Sequence, residues 1–166
     1  MTPLLFIPLL GILAILQSTL LPRFPLLNVH PDLVLLTVMS WALLRGMTEG
    51  LTWAFIGGIW IDLLSGGPFG LSPLTLVITA FLVSLLESGL FQEHIVLVIL
   101  MIAGASLLHG TLYLSLLRLG NHPAATTAAL WRIIIPTALY TSLLTPIVFP
   151  IMRWLHRVTG REQLEW

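Results

Sequence analysis

Three fragments of one stretch decide how this chain is read: HPDLVLL at residues 30–36, RGMTEG at residues 45–50 and GGIWIDLLSGGPFG at residues 57–70. Around them the sequence is almost wholly apolar, so its few charges fall beside glycine and proline at the edges of hydrophobic runs. An ionised side chain is expensive in lipid unless it faces protein or water, which makes Asp62, set inside the third fragment, a functional or architectural position by default. The whole chain is 57% hydrophobic and 8% charged, with a mean hydropathy of +1.02. A soluble domain carries roughly 25% charged residues. The composition therefore predicts an integral membrane protein. Each full crossing needs about 20 apolar residues, so five or six spans use nearly all of the 166 residues and make residues 1–166 a single transmembrane domain.

Outward from the quoted stretch, the runs can be counted. Residues 2–21 have neither a basic leader nor a small-residue cleavage site and are read as a retained first helix. A loop with Pro22, Arg23 and Pro25 follows, and Pro31 precedes Asp32, the expected N-cap of an apolar run over 33–44 that ends at Arg45 and Gly46. After Glu49 and Gly50 comes a run over 51–64. Both runs are short: about 14 helical residues reach roughly 21 Å, against a hydrocarbon core of about 30 Å. One helix over 33–64 is the alternative, disfavoured by the two glycines and the charges between them. Residues 65–70 read as a sharp turn. Further spans follow over 71–86, 95–117 and 133–152, separated by a polar loop with Glu87, Glu93 and His94 and by a polar interval with an Asn121-His122-Pro123 cap. Pro136, Pro146 and Pro150 predict kinks in the last span. The expected fold is all-α, a compact bundle of six transmembrane helices, two of them short. Arg153, Arg157 and Arg161 on the tail, residues 153–166, favour both termini, the tail and Arg45 in the cytoplasm.

Several functions are excluded or disfavoured. The net charge is zero with no basic cluster, so nucleic acid is not an expected partner. Absence of cysteine removes disulfides, thiol catalysis and thiolate metal sites. Nucleophile elbow, zinc-binding H-E-x-x-H and P-loop are all missing. Asp32, Glu49 and Asp62 lie at three segment ends, far apart in sequence, so no acidic pair is spaced for a metal-dependent transferase. The chain reads as a non-enzyme without a cofactor.

Four groups of residues merit a role. Ala54, Gly58 and Asp62 share one helix face, where small residues let another helix approach closely. Asp62 is either a partner for a cation, substrate or protein, or a cap on the following turn through the Ser65 and Gly66 amides; the cap is favoured. His109, with Ser106, Gly110 and Tyr113 on neighbouring faces, is either a proton relay or metal ligand or a neutral, hydrogen-bonded packing histidine; metal-ligand spacing is missing within its span, and packing is favoured. Thr137, Thr141 and Thr145 form an i, i+4, i+8 stripe that either lines a polar cavity, together with Arg45, Glu49 and His109, or bonds back to its own helix, the favoured reading. Gly11, Ala14 and Ser18 offer a small-residue seam on the first span for a partner helix.

Pro31-Asp32-Leu33-Val34-Leu35-Leu36, then Arg45-Gly46, Gly50, Gly57-Gly58, Asp62-Leu63-Leu64 and Pro68-Phe69-Gly70-Leu71, in that order and spacing, resemble the rod shape-determining MreD family. Position by position, Pro31, Asp32, Gly50, Gly58, Asp62, Pro68 and Gly70 match the family pattern. The resemblance implies a non-catalytic subunit of the bacterial elongation machinery in the inner membrane. Its implied partner is the bitopic coiled-coil protein MreC, in a complex with the transpeptidase and glycosyltransferase that build sidewall peptidoglycan. The family is also similar in architecture to the six-helix substrate-binding components of energy-coupling-factor transporters. That similarity implies the alternative, a subunit binding a vitamin-like small molecule.

Overall fold

The computed structural model describes residues 2–19, 30–86, 94–120 and 130–159, all of them helix, turn or short connection. Six α-helices follow in order: α1 Thr2–Thr19, α2 Leu33–Arg45, α3 Met47–Ser65, α4 Leu71–Leu85, α5 Ile95–Leu119 and α6 Ile135–Thr159. The expected features at Pro22, Arg23 and Pro25, at Glu87 and Glu93, at Asn121-His122-Pro123 and at Arg161 lie outside the described residues.

The centre is α2. Every residue from Val34 to Leu44 is buried, and α1, α3, α4, α5 and α6 all pack against it. A helix apolar on all sides belongs in such a position. At 13 residues it reaches only about 20 Å, but protein rather than lipid surrounds it, so its length need not match the bilayer. Trp41 anchors the core, with the Phe6 ring 4.2 Å away and Phe6 in turn 5.0 Å from Trp53.

The outer helices reverse the soluble pattern. Residues 95–119 and 132–159 are long and apolar enough to cross a membrane, yet only 22% of each apolar window is buried. On α6, Leu139, Leu143, Ile147 and Ile151 recur at intervals of four and are all exposed. A core helix of a soluble protein would turn that stripe inward. Here it faces outward, as a lipid-facing surface requires.

Two boundaries differ most from the sequence reading. The third helix begins at Met47, not residue 51, and its 19 residues are not short; α4, with 15, is the second short helix. The reason is that Gly46 alone breaks the chain: its φ of 81° lies in the left-handed region that glycine tolerates. Glu49 then sits in the first turn of α3, where a negative charge is favoured by the helix dipole. At the other end α6 runs unbroken through Pro146 and Pro150 to Thr159, so the tail is helical over Arg153 and Arg157. Just before Pro136, which cannot donate a backbone hydrogen bond, residues Leu130–Ile134 widen into a π-helical turn.

Candidate functional site

Two aspartates organise one end of the bundle. Asp32 caps α2 as expected: its Oδ1 accepts the Leu35 N–H at 2.9 Å. The same oxygen accepts from the Gln17 side-chain amide at 3.3 Å, while Gln17 Oε1 accepts the Val34 N–H at 3.1 Å. Gln17 is thus a second cap on α2, delivered from α1. The Asp32 N–H donates to Thr141 Oγ1 on α6 at 3.0 Å, and its Oδ2 stands 3.9 Å from His109 Nε2 on α5. Four helices meet at this one residue, and the Val34 and Leu35 N–H groups in the first turn of α2 find side-chain acceptors.

Asp62 does the equivalent for α4. Its carboxylate accepts the Gly70 N–H at 2.5 Å and the Ser72 N–H at 3.3 Å. The Ser65 and Gly66 amides expected from the sequence are not its partners. Gly70, at the N-cap of α4 with φ 100°, has no side chain with which to cap. Asp62 supplies the missing acceptor from the neighbouring helix and places a carboxylate at the positive end of the α4 dipole. The close approach this needs is made by Gly58, where a Cβ would stand 2.3 Å from Pro73 Cα. Ala54, Gly58 and Asp62, all buried, form the seam with α4. Pro68 is half-buried in the connecting turn, and Phe69 beside it is exposed.

Between the two aspartates lies a cavity of about 380 Å³. Asp32, Gln17, His109, Tyr113 and Thr137, with Ser65, Ser72 and Ser106, supply its polar lining, and Ile61, Leu114, Leu117, Ile133 and Ile134 its apolar walls. The threonine stripe divides. Thr137 reaches the cavity, Thr141 supports Asp32 from behind, and Thr145 donates to its own helix at the Thr141 carbonyl, 3.2 Å away.

Arg45 and Glu49 sit at the opposite end, next to the Gly46 break. They pair at 3.4 Å. Glu49 also accepts from the Trp41 indole N–H at 3.0 Å, and the Arg45 guanidinium lies 5.2 Å from the Trp41 ring centre. Gly50 serves proximity there, because a Cβ on it would come 2.6 Å from that of Ala42. His109 and Thr137 thus meet at one site; Arg45, Glu49 and Thr145 do not join them. The first-span seam is also taken: Gly11 faces the Trp60 ring of α3, and Ala14 is buried in the core, whereas Ser18 is exposed.

Gln17 and Tyr113 gained importance only in three dimensions. The available signal for Gln17 was its standing as the single amide at the end of an apolar helix. Among the described residues, no three His, Cys, Asp or Glu side chains cluster as metal ligands would. In comparisons with known proteins, the profile of the family described as rod shape-determining protein MreD matches residues 1–159. No curated protein and no solved structure gives a match.

Proposed function

This chain belongs to the rod shape-determining MreD family, and from that premise we propose that it acts as a non-catalytic scaffold in the cytoplasmic membrane, binding the bitopic protein MreC. Through MreC it supports the transpeptidase and glycosyltransferase of sidewall synthesis. The observation that carries this reading is the outward apolar face of α5 and α6. Its buried carboxylates cap its own helices, which leaves packing of a partner span on this otherwise lipid-facing surface as the means of binding. The seam on α1 is occupied by α3, so the partner's span meets an outer face, of which the α6 stripe from Leu139 to Ile151 is the most regular. Affinity purification of the intact chain from membranes should recover a single-span protein with an extracytoplasmic coiled coil, and depletion in a rod-shaped bacterium should give round cells. Recovery without such a partner, or depletion that leaves rods, overturns the scaffold.

The cavity favours a second reading, a small-molecule-binding subunit of a transporter. That role requires association with an ATPase module, which the same purification tests.

Six helices among the described residues support a topology with both ends on one side of the membrane. With the arginines of the α6 end and tail cytoplasmic, Trp166 and the Gly46 break face the cytoplasm, and the Asp32 and Asp62 end with its cavity faces outward. Reporter fusions at Trp166 and in the turn at Gly67 should report opposite sides. Trp166 reporting outside, or both sites on the same side, contradicts this orientation.

A further inference from the structure

We propose that the cavity between Asp32 and Asp62 is a binding site for a small neutral amphiphile whose hydroxyl group bridges Asp32 and His109. The volume, about 380 Å³, falls within the roughly 300–1,000 Å³ of small-molecule pockets. Its walls are apolar, with Ile61, Leu114, Ile133 and Ile134 around a few convergent polar groups, the pattern of a site that holds an apolar body and orients it by one polar end.

The polar end is specified by geometry. Asp32 Oδ1 is committed to Leu35 and Gln17, which leaves Oδ2 facing His109 Nε2 across 3.9 Å. That gap is too wide for a direct hydrogen bond, but one oxygen atom fits at about 2.8 Å from both. A hydroxyl can donate to the carboxylate and accept from the imidazole N–H at once. An ammonium has donors only, and an alkane has neither. With the proton on Nε2, an ammonium can bond the carboxylate but not the imidazole, so an alcohol alone satisfies both groups. Thr137 and Tyr113 line the same space and can hold a second hydroxyl. The site requires neither the shape-determining role nor an ATPase partner.

The chain contains no cysteine, so Thr137→Cys gives a single reporter on the cavity wall. The full-length variant, reconstituted in lipid vesicles, is labelled with a maleimide in the presence of decanol, decane, decylammonium or water-soluble 1,6-hexanediol, with Ser115→Cys on the exposed face of α5 as the control. Decanol or hexanediol should slow labelling at position 137 at least tenfold, with less than twofold change for decane and at position 115. The decanol arm identifies a bilayer source for the ligand, the hexanediol arm an aqueous one. Adding His109→Leu should abolish protection by either alcohol. Equal protection by decane, stronger protection by decylammonium, or no protection by any probe overturns the site; the four-probe comparison decides the matter even where His109→Leu does not fold.

Discussion

Gly58→Ala is expected to abolish the native pairing of α3 with α4. The added Cβ would lie 2.3 Å from Pro73 Cα, 2.4 Å from Pro73 N and 2.9 Å from the Ser72 carbonyl carbon. Carbon atoms pack at about 3.5–4.0 Å. All three obstructing atoms are backbone, so no side-chain rotation relieves the clash; α4 must move away by more than about 1 Å. Overpacking of this kind costs about 1–3 kcal/mol, occasionally more. Here the displacement also pulls the Gly70 and Ser72 amides from Asp62, which places the cost at the upper end. Gly110→Ala should cost less, because its obstruction is the Ile134 side chain, whose nearest atom is 2.8 Å away. Gly104→Ala meets nothing within 4 Å and should be neutral or slightly stabilising, since alanine is the better helix former. Thermal unfolding and size-exclusion profiles in detergent should rank the three variants in that order. A Gly58→Ala protein as monodisperse and heat-stable as Gly104→Ala would show that the α3–α4 seam is not close-packed at this position.

The seam also shows what a sequence can and cannot disclose. Its face was legible, because Ala54, Gly58 and Asp62 stand four apart and helical periodicity puts them together. Its purpose was not: nothing local distinguishes a face awaiting another protein from one that meets the next helix of the same chain. The Asp32 cap was legible for the opposite reason, since a cap and its amide are three residues apart and the relevant chemistry is contiguous. Asp62 bonds to amides eight and ten residues later, across a turn whose path no residue type prescribes. Gly46 and Gly50 expose a further ambiguity. One is glycine for its backbone angle and the other for its missing Cβ, and the letter is the same. The third helix consequently looked as if it began four residues later than it does. The cavity required most from the fold, because Asp32 and His109 are 77 positions apart and meet only when α5 packs beside the start of α2.

Asp62→Ala is the second large effect, and it separates an architectural aspartate from a recognition aspartate. The substitution leaves the Gly70 and Ser72 N–H groups without their acceptor beside a site that is only 5% exposed. Ser72 is buried whereas Gly70 lies in an exposed turn; leaving the buried Ser72 donor unsatisfied costs about 1–3 kcal/mol, and loss of the carboxylate at the start of α4 removes roughly 0.3–1 kcal/mol of dipole interaction. A total of about 1–4 kcal/mol is expected, larger than the usual ~1 kcal/mol for an ordinary cap because the Ser72 amide is orphaned in a buried position. Asp62→Asn keeps one carbonyl oxygen and loses the charge, so it should fall between wild type and Asp62→Ala. Melting temperature in detergent should follow that order, and hydrogen exchange at the Gly70 and Ser72 amides should accelerate in the reverse order. Partner recovery should fall only as far as the folded fraction falls. A cation- or partner-binding Asp62 makes the opposite demand: both variants would lose the partner while melting and amide exchange stayed at wild-type values. Such a result would move Asp62 from the α4 cap to the binding surface, and would require that the turn at Gly70 be held by contacts other than this carboxylate.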